Sequence, residues 1–220
     1  MKKNARNKLV CLALALALLL GCALGALPAG ARSLAWENPF TDVEDTDWFY
    51  PHVQWAAGSG VLSGTSATTF EPDAPMTRGM FITALANWEG IDPAQYPGSR
   101  FQDVAEGAWY ADAISWAAGE GIVSGYGDTF GPNDPITREQ LAAILYRYAQ
   151  YKGYDTTAKA DLSRYTDAAQ VGSYAVDAIR WANAEGLVNG TSATTLTPKG
   201  SATRAQVAVI LTRFCQNVSK

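Results

Sequence analysis

With 220 residues, 48% of them hydrophobic and 11% aromatic, the chain holds enough apolar material for a packed core and too much for wholesale disorder. Its formal charge is −4; every acidic residue lies after Arg32, whereas Lys2, Lys3, Arg6 and Lys8 lie before it. So acidic a body lacks the basic footprint of a nucleic-acid binder, and none is expected as a partner.

Those four cations precede an apolar run, Leu9 to Leu20, that is too short and wrongly flanked for a stable membrane span. Residues 1–31 therefore read as an export signal, with 32–39 a linker. Ala29-Gly30-Ala31 fits small-x-small cleavage before Arg32. Leu19-Leu20-Gly21-Cys22 resembles a lipoprotein box, an alternative processing that would make Cys22 a lipidated first residue. Simple cleavage is preferred, because Leu20 is an unusual occupant of its place. Cys11 and Cys22 belong to the leader, and Cys215 reads as a small hydrophobe near the chain end.

From Phe40 onward one pattern occurs three times, at 40–92, 101–151 and 165–216. Each copy opens on an aromatic, a polar residue and an aspartate: Phe40-Thr41-Asp42, Phe101-Gln102-Asp103 and Tyr165-Thr166-Asp167. The aspartate either caps the next helix or pairs with an arginine further on. A first helix follows, on which Trp48 and Trp55, Trp109 and Trp116, and Tyr174 and Trp181 stand seven apart, on one face. The second ring of each pair reads as a core anchor. The ring at the helix entrance, Trp48 or Trp109, is the better candidate to lie against a sugar. Next come Val61-Leu62-Ser63-Gly64, Ile122-Val123-Ser124-Gly125 and Leu187-Val188-Asn189-Gly190, read as a short extended piece ending in a turn that needs positive φ. The loops beyond contain Pro72, Pro132 and Pro198, which stiffen the return to a second helix.

That second helix is the most regular element. Thr77, Thr137 and Thr203 are placed to cap it, and Gln140 and Gln206 complete capping boxes in copies two and three. Met80 denies the first copy that box. Counting from the arginine after each threonine, apolar residues recur three, six, seven and ten places on: Phe81, Ala84, Leu85, Trp88; Leu141, Ile144, Leu145, Tyr148; Val207, Ile210, Leu211, Phe214. Three such stripes can bury one another in a central bundle. Arg78, Arg138 and Arg204 sit at the positive end of the helix dipole, where a cation is locally disfavoured. From the residues alone, a structural ion pair with Asp42, Asp103 or Asp167 leads; an anion clasped at the helix start is the alternative.

Taken together, the aromatic-x-Asp opening, Trp-Ala, the apolar pair with its glycine, the Gly-Asp-Thr-Phe-x-Pro loop at Gly127–Pro132 and Ile136-Thr137-Arg138 resemble the S-layer homology (SLH) domain. Three tandem copies cover Phe40 to about Gln216. The resemblance implies a mostly α fold, three pseudo-threefold SLH repeats (helix–loop–helix prongs) around a central three-helix bundle, with grooves between prongs. It implies non-covalent anchoring to a Gram-positive-type cell envelope by binding pyruvylated secondary cell-wall polysaccharide, or modified peptidoglycan in some relatives. The implied contacts are Arg78, Arg138 and Arg204, with Asp42, Asp103, Trp48, Trp109, Gly64 and Gly125 about them. On this footing Arg138→Ala is expected to weaken polymer binding with little effect on folding. The usual Thr-Arg-Ala-Glu is altered to Thr77-Arg78-Gly79-Met80, Thr137-Arg138-Glu139-Gln140 and Thr203-Arg204-Ala205-Gln206, and Lys199-Gly200-Ser201 replaces the usual loop ending. Copy two keeps most of the pattern and is the first choice for a working groove.

Catalysis finds little support. His52 is the single histidine and reads as a surface residue; neither a phosphate-cradling glycine loop nor metal-ligand spacing is present, so no cofactor is expected. The expected role is a secreted binding module at the cell wall or cell surface. The alternative is a structural surface-layer subunit docking on another exported protein.

Overall fold

The computed structural model describes residues 36–219; the export signal and both of its processing readings lie outside the described residues. The helices are α1 (Tyr50–Gly58), α2 (Arg78–Glu89), α3 (Ala111–Gly119), α4 (Arg138–Lys152), α5 (Val176–Ala184) and α6 (Arg204–Asn217), one short and one long helix per repeat. Among the described residues no strand forms, only isolated bridges between segments. None of these helices is long and apolar enough to cross a membrane.

Local chemistry starts the long helices where the sequence places them. Thr77, Thr137 and Thr203 hold extended φ/ψ, and each side chain accepts from the N–H three residues on, at 3.2–3.3 Å. Both expected capping boxes are present, on Gln140 and Gln206. At Met80 the reciprocal bond is missing, as its thioether side chain dictates.

Just before the caps, the three repeats lock together through their backbones. The Met76 N–H donates to the Ala202 carbonyl (2.9 Å), Ala202 to Ile136 (3.0 Å) and Ile136 to Met76 (2.8 Å). This closed ring of three hydrogen bonds marks the pseudo-threefold axis, and its three side chains are fully buried. Because every donor and acceptor in it is satisfied by another repeat, no single repeat can complete it alone.

Each short helix lies against the long helix of the preceding repeat: α3 on α2, α5 on α4, and α1 on α6, which closes the circle. The apolar stripes of the long helices are buried as their period predicts. On the axis Trp88 and Tyr148 both meet Phe214, with ring centroids 5.7 and 5.8 Å away. The anchors Trp55, Trp116 and Trp181 dock edge-on against Trp88, Tyr148 and Phe214 respectively. Beside them, Glu89 accepts from the Tyr148 hydroxyl (2.9 Å) and pairs with Lys152 (2.9 Å), tying α2 to α4.

The apolar pairs after each short helix are buried but not extended. Both N–H groups of Val61-Leu62 donate to the Ala56 carbonyl, and Ile122-Val123 and Leu187-Val188 repeat this on Ala117 and Ala182. They satisfy helix-end carbonyls instead of forming a strand.

Candidate functional site

The three Thr-Arg arginines, ligand contacts by the resemblance, are buried. Arg78, Arg138 and Arg204 are 5%, 7% and 4% exposed. Each sends Nε to a backbone carbonyl in the loop of the next repeat: Arg78 to Phe130 (3.0 Å), Arg138 to Leu196 (3.0 Å) and Arg204 to Phe70 (2.7 Å). Arg204 adds a second bond to the Ser63 carbonyl (2.6 Å), and Arg138 a matching one to Asn189. At the third junction the Ser124 carbonyl is taken by Arg100 instead (2.9 Å).

The free N–H groups of the helix starts are also spent on these loops. Arg78 and Gly79 donate to Asp134 and Pro132, Arg138 and Glu139 to Gly200 and Pro198, and Arg204 and Ala205 to Ala74 and Pro72. The stiff proline loops thus present carbonyls to the preceding repeat, and the N–H cradle that would suit an anion is filled from within.

The aspartates hold the same loops from the other side. Asp42 accepts from the N–H groups of Phe70 and Glu71, Asp103 from Phe130 and Gly131, and Asp167 from Leu196 and Thr197, at 2.7–3.1 Å. Phe70, Phe130 and Leu196 therefore give their N–H to an aspartate of their own repeat and their C=O to an arginine of the preceding one. Among the described residues the ion pairs join Lys152 to Glu89, Lys159 to Asp177 and Lys199 to Glu139, and none includes a Thr-Arg arginine. The direct arginine–aspartate pair is replaced by a peptide unit held between the two charges. Burial pushes the guanidinium pKa values down, and the nearby Asp103 and Asp134, Asp167, and Glu71 and Asp42 oppose that.

The two glycines expected near a ligand are needed for different reasons. Gly125 has φ +68°. Gly64 does not lie in the left-handed region; a Cβ there would fall 2.5–2.6 Å from the Ser66 and Thr69 carbonyls and the Phe40 ring. At Gly79 a Cβ would meet the Pro132 carbonyl at 2.9 Å and the Tyr110 ring at 3.3 Å, which accounts for glycine where the usual motif has alanine.

Glu139 and Lys199, two departures in different repeats, prove to be partners. The carboxylate of Glu139, 2% exposed, accepts from Lys199 (2.6 Å), the Tyr174 hydroxyl (2.7 Å) and the Gly172 N–H (2.9 Å). Burial raises its pKa, but these three donors outweigh that and hold it below the usual carboxylate range. The shared departures were visible in the sequence; their pairing was not.

Trp48 and Trp109 stand at the helix entrances, 65% and 62% exposed, with Tyr174 at the matching place. His52, expected on the surface, is half-buried with Nδ1 unpartnered, and burial together with Arg213 pushes its pKa down. A cavity of about 390 Å³ opens beside Arg204. Its lining includes Ser63, Gly64, Met80, Thr83, Asn87 and Trp109, so Arg204, Gly64 and Trp109 are brought together at one place by three different repeats. Sequence reasoning missed Thr83, whose buried Oγ1 finds no protein partner.

The sequence profile of the S-layer homology domain matches residues 39–80, 100–142 and 164–208. The chain belongs to the S-layer homology domain family. Relatives include an amylopullulanase of Thermoanaerobacterium thermosulfurigenes, 33% identical over 80% of this chain and 9% of that protein. An endoglucanase of Bacillus sp. (strain KSM-635) is 32% identical over 82% of this chain and 19% of its own length. A cellulosome-anchoring protein of Acetivibrio thermocellus is 26% identical over 80% of this chain and 41% of its own. The chain thus spans under a half of each of these relatives.

Proposed function

We propose that this SLH chain attaches non-covalently to a cell envelope by holding an acidic wall polysaccharide, of the class carrying ketal-linked pyruvate, in a groove between repeats. The observation that supports this is the cavity beside Arg204. A guanidinium has five N–H donors, and Arg204 gives two of its bonds to the Phe70 and Ser63 carbonyls, which leaves donors for a carboxylate. Trp109 offers a ring face to a sugar, and Met76, Met80 and Ala84 give the cavity an apolar floor that suits a ketal methyl group. Asp42 holds the Phe70 loop that Arg204 reaches, whereas Asp103 holds the matching loop at the Arg78 junction.

The relatives fit an attachment role, since a pullulanase, an endoglucanase and an anchoring protein share this stretch while it is a minor part of each. The proposed location is the outer cell surface after export, the proposed partner a wall polymer, and the module itself is non-catalytic. Co-sedimentation tests this. The protein should pellet with purified walls and remain in the supernatant once the secondary polysaccharide has been stripped by acid. Equal pelleting with both preparations overturns the glycan reading and favours docking on a protein or the bare peptidoglycan.

A further inference from the structure

The contacts that lock the repeats together are made by backbone groups and by the shared arginine. The Met76–Ala202–Ile136 ring, the helix-start N–H groups and the arginine-bound carbonyls use atoms that every repeat can offer. They therefore hold a junction without choosing which repeat enters it. The choice is a real one, because repeats one and three share the stretch Gly-Thr-Ser-Ala-Thr-Thr at 64–69 and 190–195. Only side chains that differ between repeats can select, and such differences meet at the residue after each arginine.

Where α4 holds the loop of repeat three, Glu139 follows the arginine. Its buried carboxylate takes Lys199 of that loop (2.6 Å), the Tyr174 hydroxyl (2.7 Å) and the Gly172 N–H (2.9 Å). Repeat one would bring Asp73 in place of Lys199 and Trp48 in place of Tyr174, a like charge and a ring without a hydroxyl. Where α2 holds repeat two, Gly79 follows the arginine, and a Cβ there would lie 2.9 Å from the Pro132 carbonyl and 3.3 Å from the Tyr110 ring. Where α6 holds repeat one, Ala205 follows the arginine, and Phe49 stands at the place of Tyr110. The reverse order round the ring fails at all three places. Asp73 would face Glu139, the Ala205 Cβ would enter the space crowded by Pro132 and Tyr110, and Gly79 would face Ala175 across a gap.

We propose that the residue after each arginine selects the repeat that docks on it, and that Glu139, by its demand for Lys199 and Tyr174, admits repeat three and rejects repeat one. The three repeats then close in one cyclic order. A buried carboxylate is strongly unfavourable beside a second carboxylate and tolerable beside an ammonium and two further donors, so Glu139 discriminates by charge. Gly79 and Ala205 discriminate by size.

Amide hydrogen exchange on the full chain tests this, because one N–H reports each junction: Arg138 on the Gly200 carbonyl, Arg204 on Ala74 and Arg78 on Asp134, at 2.9–3.0 Å. Lys199→Asp gives the third loop the residue of the first. It should lower protection of the Arg138 N–H at least about tenfold, as expected for a buried carboxylate facing a like charge. Lys199→Asn, the residue of the second loop, should lower it less. In the Glu139→Ala background, Lys199→Asp should change that protection less than about twofold. Asp73→Lys, the converse exchange, should leave the Arg204 N–H within about twofold of wild type, since Ala205 reads no charge. Gly79→Ala, the residue of α6, should lower protection of the Arg78 N–H about fivefold or more. Unchanged protection in Lys199→Asp, or a loss as large in the Glu139→Ala background, overturns the proposal, and so does a loss of about tenfold at Arg204 in Asp73→Lys. Undiminished protection in Gly79→Ala overturns selection by size. Where Lys199→Asp fails to fold, Lys199→Asn with and without Glu139→Ala decides between the same outcomes.

Discussion

Arg138→Ala separates bracing from ligand binding. The side chain is 7% exposed and donates to the Leu196 carbonyl at 3.0 Å and to that of Asn189. Hydrogen bonds from a charged donor contribute roughly 1.5–3 kcal/mol each, so the pair is worth about 3–6 kcal/mol before any offset. Removing a buried cation returns part of this, because its desolvation no longer opposes folding. The net loss is about 2–4 kcal/mol, which for a domain of this size lowers Tm by roughly 5–15 °C. Thermal and urea melts followed by circular dichroism read this directly. Arg138→Lys should recover less than half, since an ammonium lacks the planar fork that reaches two carbonyls. Asp167→Asn should be non-additive with Arg138→Ala, because both changes act on Leu196, through its N–H and its C=O. A variant that melts within about 2 °C of wild type, yet loses wall binding per folded molecule, would refute the bracing account and restore the ligand-contact role that the resemblance implies.

Three further outcomes follow from single contacts. Thr197 sits at φ +55°, where Gly131 stands in the second repeat, so Thr197→Gly should relieve about 1 kcal/mol of left-handed strain and raise Tm; a fall would mean that its hydroxyl bond to Thr191 outweighs the backbone. Trp116→Ala, at a ring 1% exposed, should cost about 3–5 kcal/mol in a urea melt, and a loss under 1 kcal/mol would show that α3 collapses into the space. Glu139 has a depressed folded-state pKa, so its contribution is present above the ordinary glutamate value of about 4.5 and is lost as pH falls through the lower folded value. Glu139→Gln should therefore be less stable at pH 7 and show a flatter decline of Tm between pH 5 and 3 than wild type, whereas parallel curves would remove Glu139 from the acid response.

The periodic parts of the fold were legible residue by residue. Stripe positions such as Leu141 and Phe214 are buried, both capping boxes form, and Met80 breaks the third, because these features depend on neighbours three to four residues away on one helix. Contacts across repeats were not legible. Nothing local in Asp42 says that it grips Phe70 and Glu71, residues 28 and 29 places on. Nor does Arg204 announce that it reaches Phe70, 134 places back. Thr83, which lies off the apolar stripe, was missed, since its place beside the cavity depends on the loop at Ser63 and on Trp109 of the next repeat. Local rules located the arginines as anomalies, and their physical cause lay in another repeat.

A guanidinium can brace a scaffold and clasp a ligand at once, because its donors point along different edges of one plane. Fixing one edge to loop carbonyls holds the other edge in a single orientation, so little further side-chain entropy is lost when a carboxylate meets it. The brace is present at all three junctions, and a cavity opens beside Arg204. On the proposed reading, what a junction can hold depends on the residues laid over the arginine, Thr65 and Met80 beside Arg204 or Tyr126 and Gln140 beside Arg78, as well as on the arginine itself. Copy two keeps most of the usual motif in sequence, but its arginine is buried and donates to two loop carbonyls, as Arg204 does. Fidelity to the Thr-Arg pair thus reflects how a repeat is fastened to its neighbour, since each of the three arginines donates to a loop carbonyl of the next repeat.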